Sequence, residues 1–130
     1  MTVLIIGGAA QGKKTLAMRL YGLAPDDFAD GRTCTREGLA SARAIDGLHH
    51  LTRREHDLAG LSGQLRGKLV LCDEIGCGVV PADREQDDWR ERTGRLLCDL
   101  AAQADTVIRV CAGLPQVLKG ALPDAAGREG

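Results

Sequence analysis

The stretch that most constrains this chain is the junction between its first apolar run and the residues that follow. Residues 2–7 (TVLIIG) are almost unbroken apolar sequence ending at glycine, a pattern suited to a strand covered on both faces within a parallel sheet. Next come Gly7, Gly8, Ala9, Ala10, Gln11, Gly12, Lys13, Lys14 and Thr15. Residues 13–22 then place Leu16 and Leu20 on one helical face, with Gly22 positioned to end the helix. A glycine-rich turn between a buried strand and a helix presents successive backbone N–H groups to an anion, and the helix start adds partial positive charge. The spacing Gly7, four residues, Gly12, Lys13 is that of a phosphate loop, with Lys13 set to reach the β- and γ-phosphates. The competing reading is an ordinary strand-to-helix turn. One position departs from the pattern. The residue after the lysine should carry a hydroxyl that ligates Mg²⁺; here it is Lys14, and Thr15 comes one place late.

The rest of the chain continues the alternation of strand and helix. Residues 24–38 are rich in Pro, Asp and Gly and read as loop. Residues 41–46 (SARAID) read as a short strand, and 48–65 as a helix weakened by Gly60 and Gly63. Residues 68–72 (KLVLC) form a second buried strand that runs into Asp73 and Glu74, followed by a turn through Gly76, Gly78 and Pro81. Residues 84–103 make an amphipathic helix with Trp89, Leu96, Leu97 and Leu100 on one face and Asp83 as its candidate cap. Residues 106–111 (TVIRVC) read as the last strand. The pattern implies an α/β P-loop fold, a small, mostly parallel sheet flanked by helices, with ligands beyond the carboxyl ends of the strands. Gly7–Thr15, Asp73–Gly78 and Gly113–Lys119 all begin at strand ends, which is a reason to expect them around one pocket. Residues 1–119 would form this domain and 120–130 a flexible tail.

An acid just past a buried strand, as at Asp73 and Glu74, serves the metal or the nucleophile in proteins with such a loop; a helix cap is the simpler reading. Thr15 and Asp73 are the candidate Mg²⁺ ligands. Gly76 and Gly78 would let backbone approach a ligand. His49, His50 and His56 sit with Arg53 and Arg54 in one basic stretch. Arginine forks clamp phosphate and a histidine nitrogen can carry a transferred group, although a solvated helix face explains the same residues. Arg90 and Arg95 are candidate phosphate contacts, with i,i+4 surface ion pairs as the alternative.

Composition excludes several other classes. The 130 residues fit one domain, and a formal charge of −1 gives no basic field for nucleic acid. Aromatics are 2 %, too few for base-stacking surfaces. The first apolar run is too short to span a membrane and lacks signal-peptide features, so a cytoplasmic protein is expected. The five cysteines have no CxxC spacing, so neither a zinc site nor a disulfide framework is expected; Cys72 and Cys111, inside apolar runs, read as small hydrophobes.

From Cys72 to Gly120 the sequence resembles the C-terminal half of the cobinamide kinase / cobinamide-phosphate guanylyltransferase family. Its Asn-Glu-Val-Gly-x-Gly-x-Val-Pro stretch is matched by Glu74, Gly76, Gly78, Val80 and Pro81. Its Ala-Gly-Arg, Ala-Asp-x-Val and Gly-x-Pro elements are matched by Gly94 and Arg95, by Ala104, Asp105 and Val107, and by Gly113 and Pro115. Its loop, Gly-Gly-x-x-Ser-Gly-Lys-Ser, is matched by Gly7, Gly8, Gly12 and Lys13, with Gln11 and Lys14 replacing the serines. The resemblance implies ATP or GTP as substrate with Mg²⁺, and a corrinoid as acceptor. The hydroxyl of adenosylcobinamide would be phosphorylated, and GTP would then guanylylate a histidine, from which the cobinamide phosphate takes GMP. His49 or His50, near Arg53, is the nearest counterpart of that histidine, with His49 the candidate guanylyl acceptor and Asp73 and Glu74 the catalytic acids. A homo-oligomer is expected by the same resemblance. The rival expectations are a non-catalytic nucleotide-binding protein, favoured by Lys14, and a kinase for another small molecule.

Overall fold

The computed structural model describes residues 1–8, 12–74 and 84–123. Its centre is one six-stranded sheet built from β1 (Val3–Gly7), β2 (Phe28–Asp30), β3 (Ala44–Asp46), β4 (Leu69–Asp73), β5 (Thr106–Cys111) and β6 (Leu114–Lys119), in the order β2-β3-β4-β1-β5-β6. The first five strands are parallel and β6 is antiparallel to β5. The helices are α1 (Lys13–Tyr21), α2 (Arg36–Ala40), α3 (Leu48–Arg54), α4 (Leu61–Gln64) and α5 (Arg84–Gln103).

Side-chain alternation along the strands divides the interior into two layers. Val3, Ile5, Leu69, Leu71, Ile108 and Val110 face α1 and pack on Leu16 and Ala17. Leu4, Ile45, Val70, Cys72 and Val107 face the other way, onto Leu39 of α2, Leu48 and Leu51 of α3, Leu61 of α4, and Leu96 and Leu100 of α5. Because both faces of the central strands are covered, their sequences are continuous apolar runs rather than alternating ones. The fold is therefore the expected P-loop α/β arrangement.

Three local readings are corrected. The 24–38 loop contains a single 3₁₀ turn at Pro25–Asp27, the edge strand β2, and the start of α2. Phe28 packs on the α1 side of the core, and the Thr35 hydroxyl caps α2 by accepting from the Gly38 N–H at 2.9 Å. The expected 48–65 helix is two helices, because Glu55 is extended (φ −100°, ψ 116°) and Gly60, at φ 77°, starts a new one. Residues 106–111 are not the last strand. Ala112 (φ 53°) and Gly113 (φ 77°) form a tight turn with two left-handed residues, the geometry that favours a hairpin, and send the chain back as β6. Pro115 is tolerated there because β6 is an edge.

The hairpin also exposes Cys111, which was expected inside, whereas Cys72 is buried as expected, with its thiol pushed up to about 12 by desolvation. Among the described residues, Cys34, Cys72, Cys98 and Cys111 are free. The first part of the expected tail stays on the body: Leu122 packs against the α1-side core and the Ala121 carbonyl accepts from the Thr106 hydroxyl at 3.3 Å. Residues 124–130 lie outside the described residues, as do Asp83 and Pro81. Among the described residues no helix is long and apolar enough to cross a membrane.

Candidate phosphate site

The parallel strands end at one cleft of about 340 Å³, floored by three aspartates that close adjacent strands: Asp30 on β2, Asp46 on β3 and Asp73 on β4. The first turn of α1 forms its wall through Gly12, Lys13, Lys14 and Thr15. Gly12 is the N-cap of α1 at φ 84°, a left-handed conformation that favours glycine, and no side chain caps the helix. No acid lies in this first turn, so the helix itself supplies no carboxylate against its positive end. A side chain at Gly12 would meet the Cα of Gly113 at 3.7 Å, so the tip of the β5–β6 hairpin sits beside the start of α1. Of the expected Gly113–Lys119 stretch only this tip comes near; the rest runs away along the sheet edge.

Lys13 is buried and reaches across the end of β1. Its Nζ donates to Asp73 Oδ1 at 2.8 Å, to the Gly8 carbonyl at 2.8 Å and to the Gly7 carbonyl at 3.3 Å. His49 completes this group. Its Nδ1 accepts from the Asp73 backbone N–H at 3.1 Å, and its Nε2 lies 3.3 Å from Asp73 Oδ2. Since Nδ1 accepts, the ring proton belongs on Nε2, pointing at the carboxylate. Burial holds the His49 pKa below its ordinary value, with the Asp73 charge opposing only in part. Both ring nitrogens of His49 are thus committed. His50 lies against it, ring centroids 4.1 Å apart, and also lines the cleft.

Lys14 points to the other side of the cleft. Its Nζ is 3.9 Å from Asp46 Oδ2 and 5.2 Å from the centre of the Phe28 ring. Thr15 and Asp73 are the expected Mg²⁺ ligands. Thr15 is exposed on the cleft wall, while the Asp73 oxygens are occupied by Lys13 and His49. An ammonium stands where a hydroxyl ligand belongs, and among the described residues no group of three His, Cys, Asp or Glu side chains is arranged for a metal. Among the described side chains, those expected to hold Mg²⁺ do not fit it as they stand, since Lys14 fills the hydroxyl position and both Asp73 oxygens are taken.

Other expected site residues lie elsewhere. Glu74 turns to the far side of the sheet, where Arg109 holds both its oxygens, at 3.0 Å and 3.2 Å. Arg53 stacks on Trp89 at 4.1 Å and Arg95 pairs with Glu91 on the exposed face of α5 at 3.2 Å. Arg53, Arg90 and Arg95 are not among the residues that line the cleft. Trp89 joins α5 to α3, its indole N–H donating to the His49 carbonyl and the Thr52 hydroxyl, each at 3.1 Å. Ala9, Ala10, Gln11, Gly76 and Gly78 lie outside the described residues. Sequence reasoning missed Asp30, Asp46 and Arg32, which also line the cleft. The signal for Asp46 was present: SARAID ends a short strand in aspartate just as KLVLCD does.

Residues 32–118 match the family model described as "Cobinamide kinase / cobinamide phosphate guanyltransferase". The matched span contains Asp46, His49, His50 and Asp73 and begins after residues 7–15. No curated protein matches the chain.

Proposed function

The chain belongs to the cobinamide kinase / cobinamide phosphate guanyltransferase family, and from that premise we propose that it binds the phosphates of ATP or GTP in the cleft and transfers a phosphoryl or guanylyl group to adenosylcobinamide or its phosphate. The observation that carries this reading is the pair of consecutive lysines on the uncapped first turn of α1, facing a cleft at the carboxyl ends of parallel strands. Lys13 would exchange its contact with Asp73 for the β- and γ-phosphates. The freed Asp73 carboxylate, still oriented by His49, would then accept the proton of the attacking cobinamide hydroxyl as its oxygen bonds to the γ-phosphorus and the bond to the leaving diphosphate breaks.

For guanylyl transfer the nucleophile is a histidine nitrogen with a free lone pair. His49, with both nitrogens occupied, suits a positioning role. His50 lines the same cleft and is the better acceptor. Its nitrogen would bond to the α-phosphorus of GTP as pyrophosphate leaves, and the cobinamide phosphate oxygen would later displace it, breaking the P–N bond. A second reading, nucleotide binding without turnover, is favoured by Lys14 in the metal-ligand position.

Incubation with γ- or α-labelled nucleotide and adenosylcobinamide separates these readings. Label on the corrinoid, lost in Lys13→Ala, supports transfer. Acid-labile label on the protein, lost in His50→Asn and kept in His49→Gln, supports the histidine route. Affinity without labelled product leaves the binding reading, and no affinity for either nucleotide refutes all of them.

A further inference from the structure

We propose that Lys14 takes the place of a divalent cation at the phosphate site, so that this chain binds a nucleoside triphosphate without Mg²⁺. The inference rests on the nucleotide reading above and concerns the form in which the nucleotide is held.

Three observations converge on it. The first is chemical. The residue after the loop lysine supplies the hydroxyl that ligates the metal in a phosphate loop; an ammonium has three donors and no lone pair, so it cannot ligate and repels a cation. The second is positional. Lys14 lines the cleft, and its Nζ lies 3.9 Å from Asp46 Oδ2, on the carboxylate that ends β3. A cation bridging helix start and strand-end acid would occupy that gap, and here the gap holds the ammonium. The third is the looseness of this contact. Lys14 and Asp46 are 41 % and 45 % exposed, so Lys14 can swing to a phosphate oxygen while water continues to solvate Asp46. Lys13 has no such freedom until an anion replaces its three acceptors. Phosphate therefore meets two positive side chains on one helical turn, one buried and one partly exposed, and a charge-assisted hydrogen bond from each.

The test is calorimetric titration of the full chain with ATP and with GTP, in excess EDTA and again in Mg²⁺. The wild-type dissociation constants are expected to agree within about threefold between the two conditions. Lys14→Ser restores a hydroxyl. It is expected to lose about tenfold or more in EDTA and to recover that loss in Mg²⁺. Lys14→Met keeps the stem without the charge, and is expected to lose affinity in both conditions. Circular dichroism melts establish that each variant is folded, and either variant alone suffices. A wild-type affinity that rises about tenfold or more on adding Mg²⁺ overturns the inference while leaving the nucleotide reading intact. Unchanged EDTA affinity in a folded Lys14 variant also overturns it. No binding in either condition overturns the nucleotide reading itself.

Discussion

Two lysine–aspartate pairs whose lysines are neighbours in sequence behave as different objects. Lys13 and Asp73 meet at 2.8 Å, with side chains 9 % and 28 % exposed; Lys14 and Asp46 meet only at 3.9 Å, both close to half exposed. A half-exposed pair at that distance is worth about 0–1 kcal/mol, because water screens it and two long side chains lose freedom to make it. A mostly buried pair is different: removing one partner strands the other's charge, at a cost of about 3–5 kcal/mol in a full interior and less here, where Asp73 keeps some solvent. The lesson is that adjacency on a helix does not confer similar roles. Lys13 points inward over the end of β1 and is part of the scaffold, whereas Lys14 points across the cleft and is held lightly.

The largest expected effect tests the buried member. Lys13→Ala should weaken triphosphate binding about 100-fold or more, since each charge-assisted hydrogen bond to a phosphate is worth about 1.5–3 kcal/mol and Lys13 has several donors to give. Isothermal titration measures it. A loss smaller than that of Lys14→Met would invert the comparison. Asp73→Asn comes next. It leaves a buried ammonium with a neutral partner and should lower stability by about 1–3 kcal/mol in urea unfolding.

His49 sharpens the buried side further, through pH. Its pKa in the fold lies below the ordinary 6.5, chiefly because burial disfavours the charged ring, with Asp73 opposing and His50 and Lys13 adding to the depression. The unfolded chain therefore binds the proton more readily than the folded one. Stability is full above the ordinary value and declines as pH falls from there toward the folded pKa. Protonation at Nδ1 would also set an N–H against the Asp73 backbone N–H. His49→Gln offers a carbonyl and an amide in roughly the same places without titrating. Melts between about pH 5 and 8 should show a flatter slope in this variant below 6.5. An unchanged slope would show that His49 is not the titrating group.

How much of this was readable beforehand follows the same division. Both central strands announce themselves because double coverage makes Val3–Ile6 and Leu69–Cys72 continuously apolar, and α1 and α5 are long enough to show their period. The edge elements do not. Phe28–Asp30 is three residues of mixed character, and Leu114–Lys119 holds a proline and three exposed apolar side chains, Leu114, Val117 and Leu118. Lys13 was legible from its motif, and Asp73 from the strand before it. Asp46 carries the same signal at the end of SARAID, whereas Asp30 does not, because its three-residue strand lies in a stretch that reads as loop. Glu74 was misplaced for a geometric reason: successive residues at a strand end point to opposite faces, so Asp73 and Glu74 cannot both serve one cleft, and Glu74 goes to Arg109 instead.

The smallest expected effect belongs to the exposed pair, and it is the one that most directly separates the two. Asp46→Asn removes a contact of about 0–1 kcal/mol and keeps the shape of the side chain, so the melting temperature should move by less than about 3 °C. The same substitution also takes one negative charge from the cleft that a triphosphate must enter and releases Lys14 from its only carboxylate contact among the described residues. Affinity for ATP in EDTA should therefore hold or rise by a few-fold, opposite in sign to what Asp73→Asn does to stability. If Asp46→Asn instead destabilises the fold as much as Asp73→Asn, the carboxylate at the end of β3 is structural. The contrast between a buried and a loosely paired lysine would then be lost.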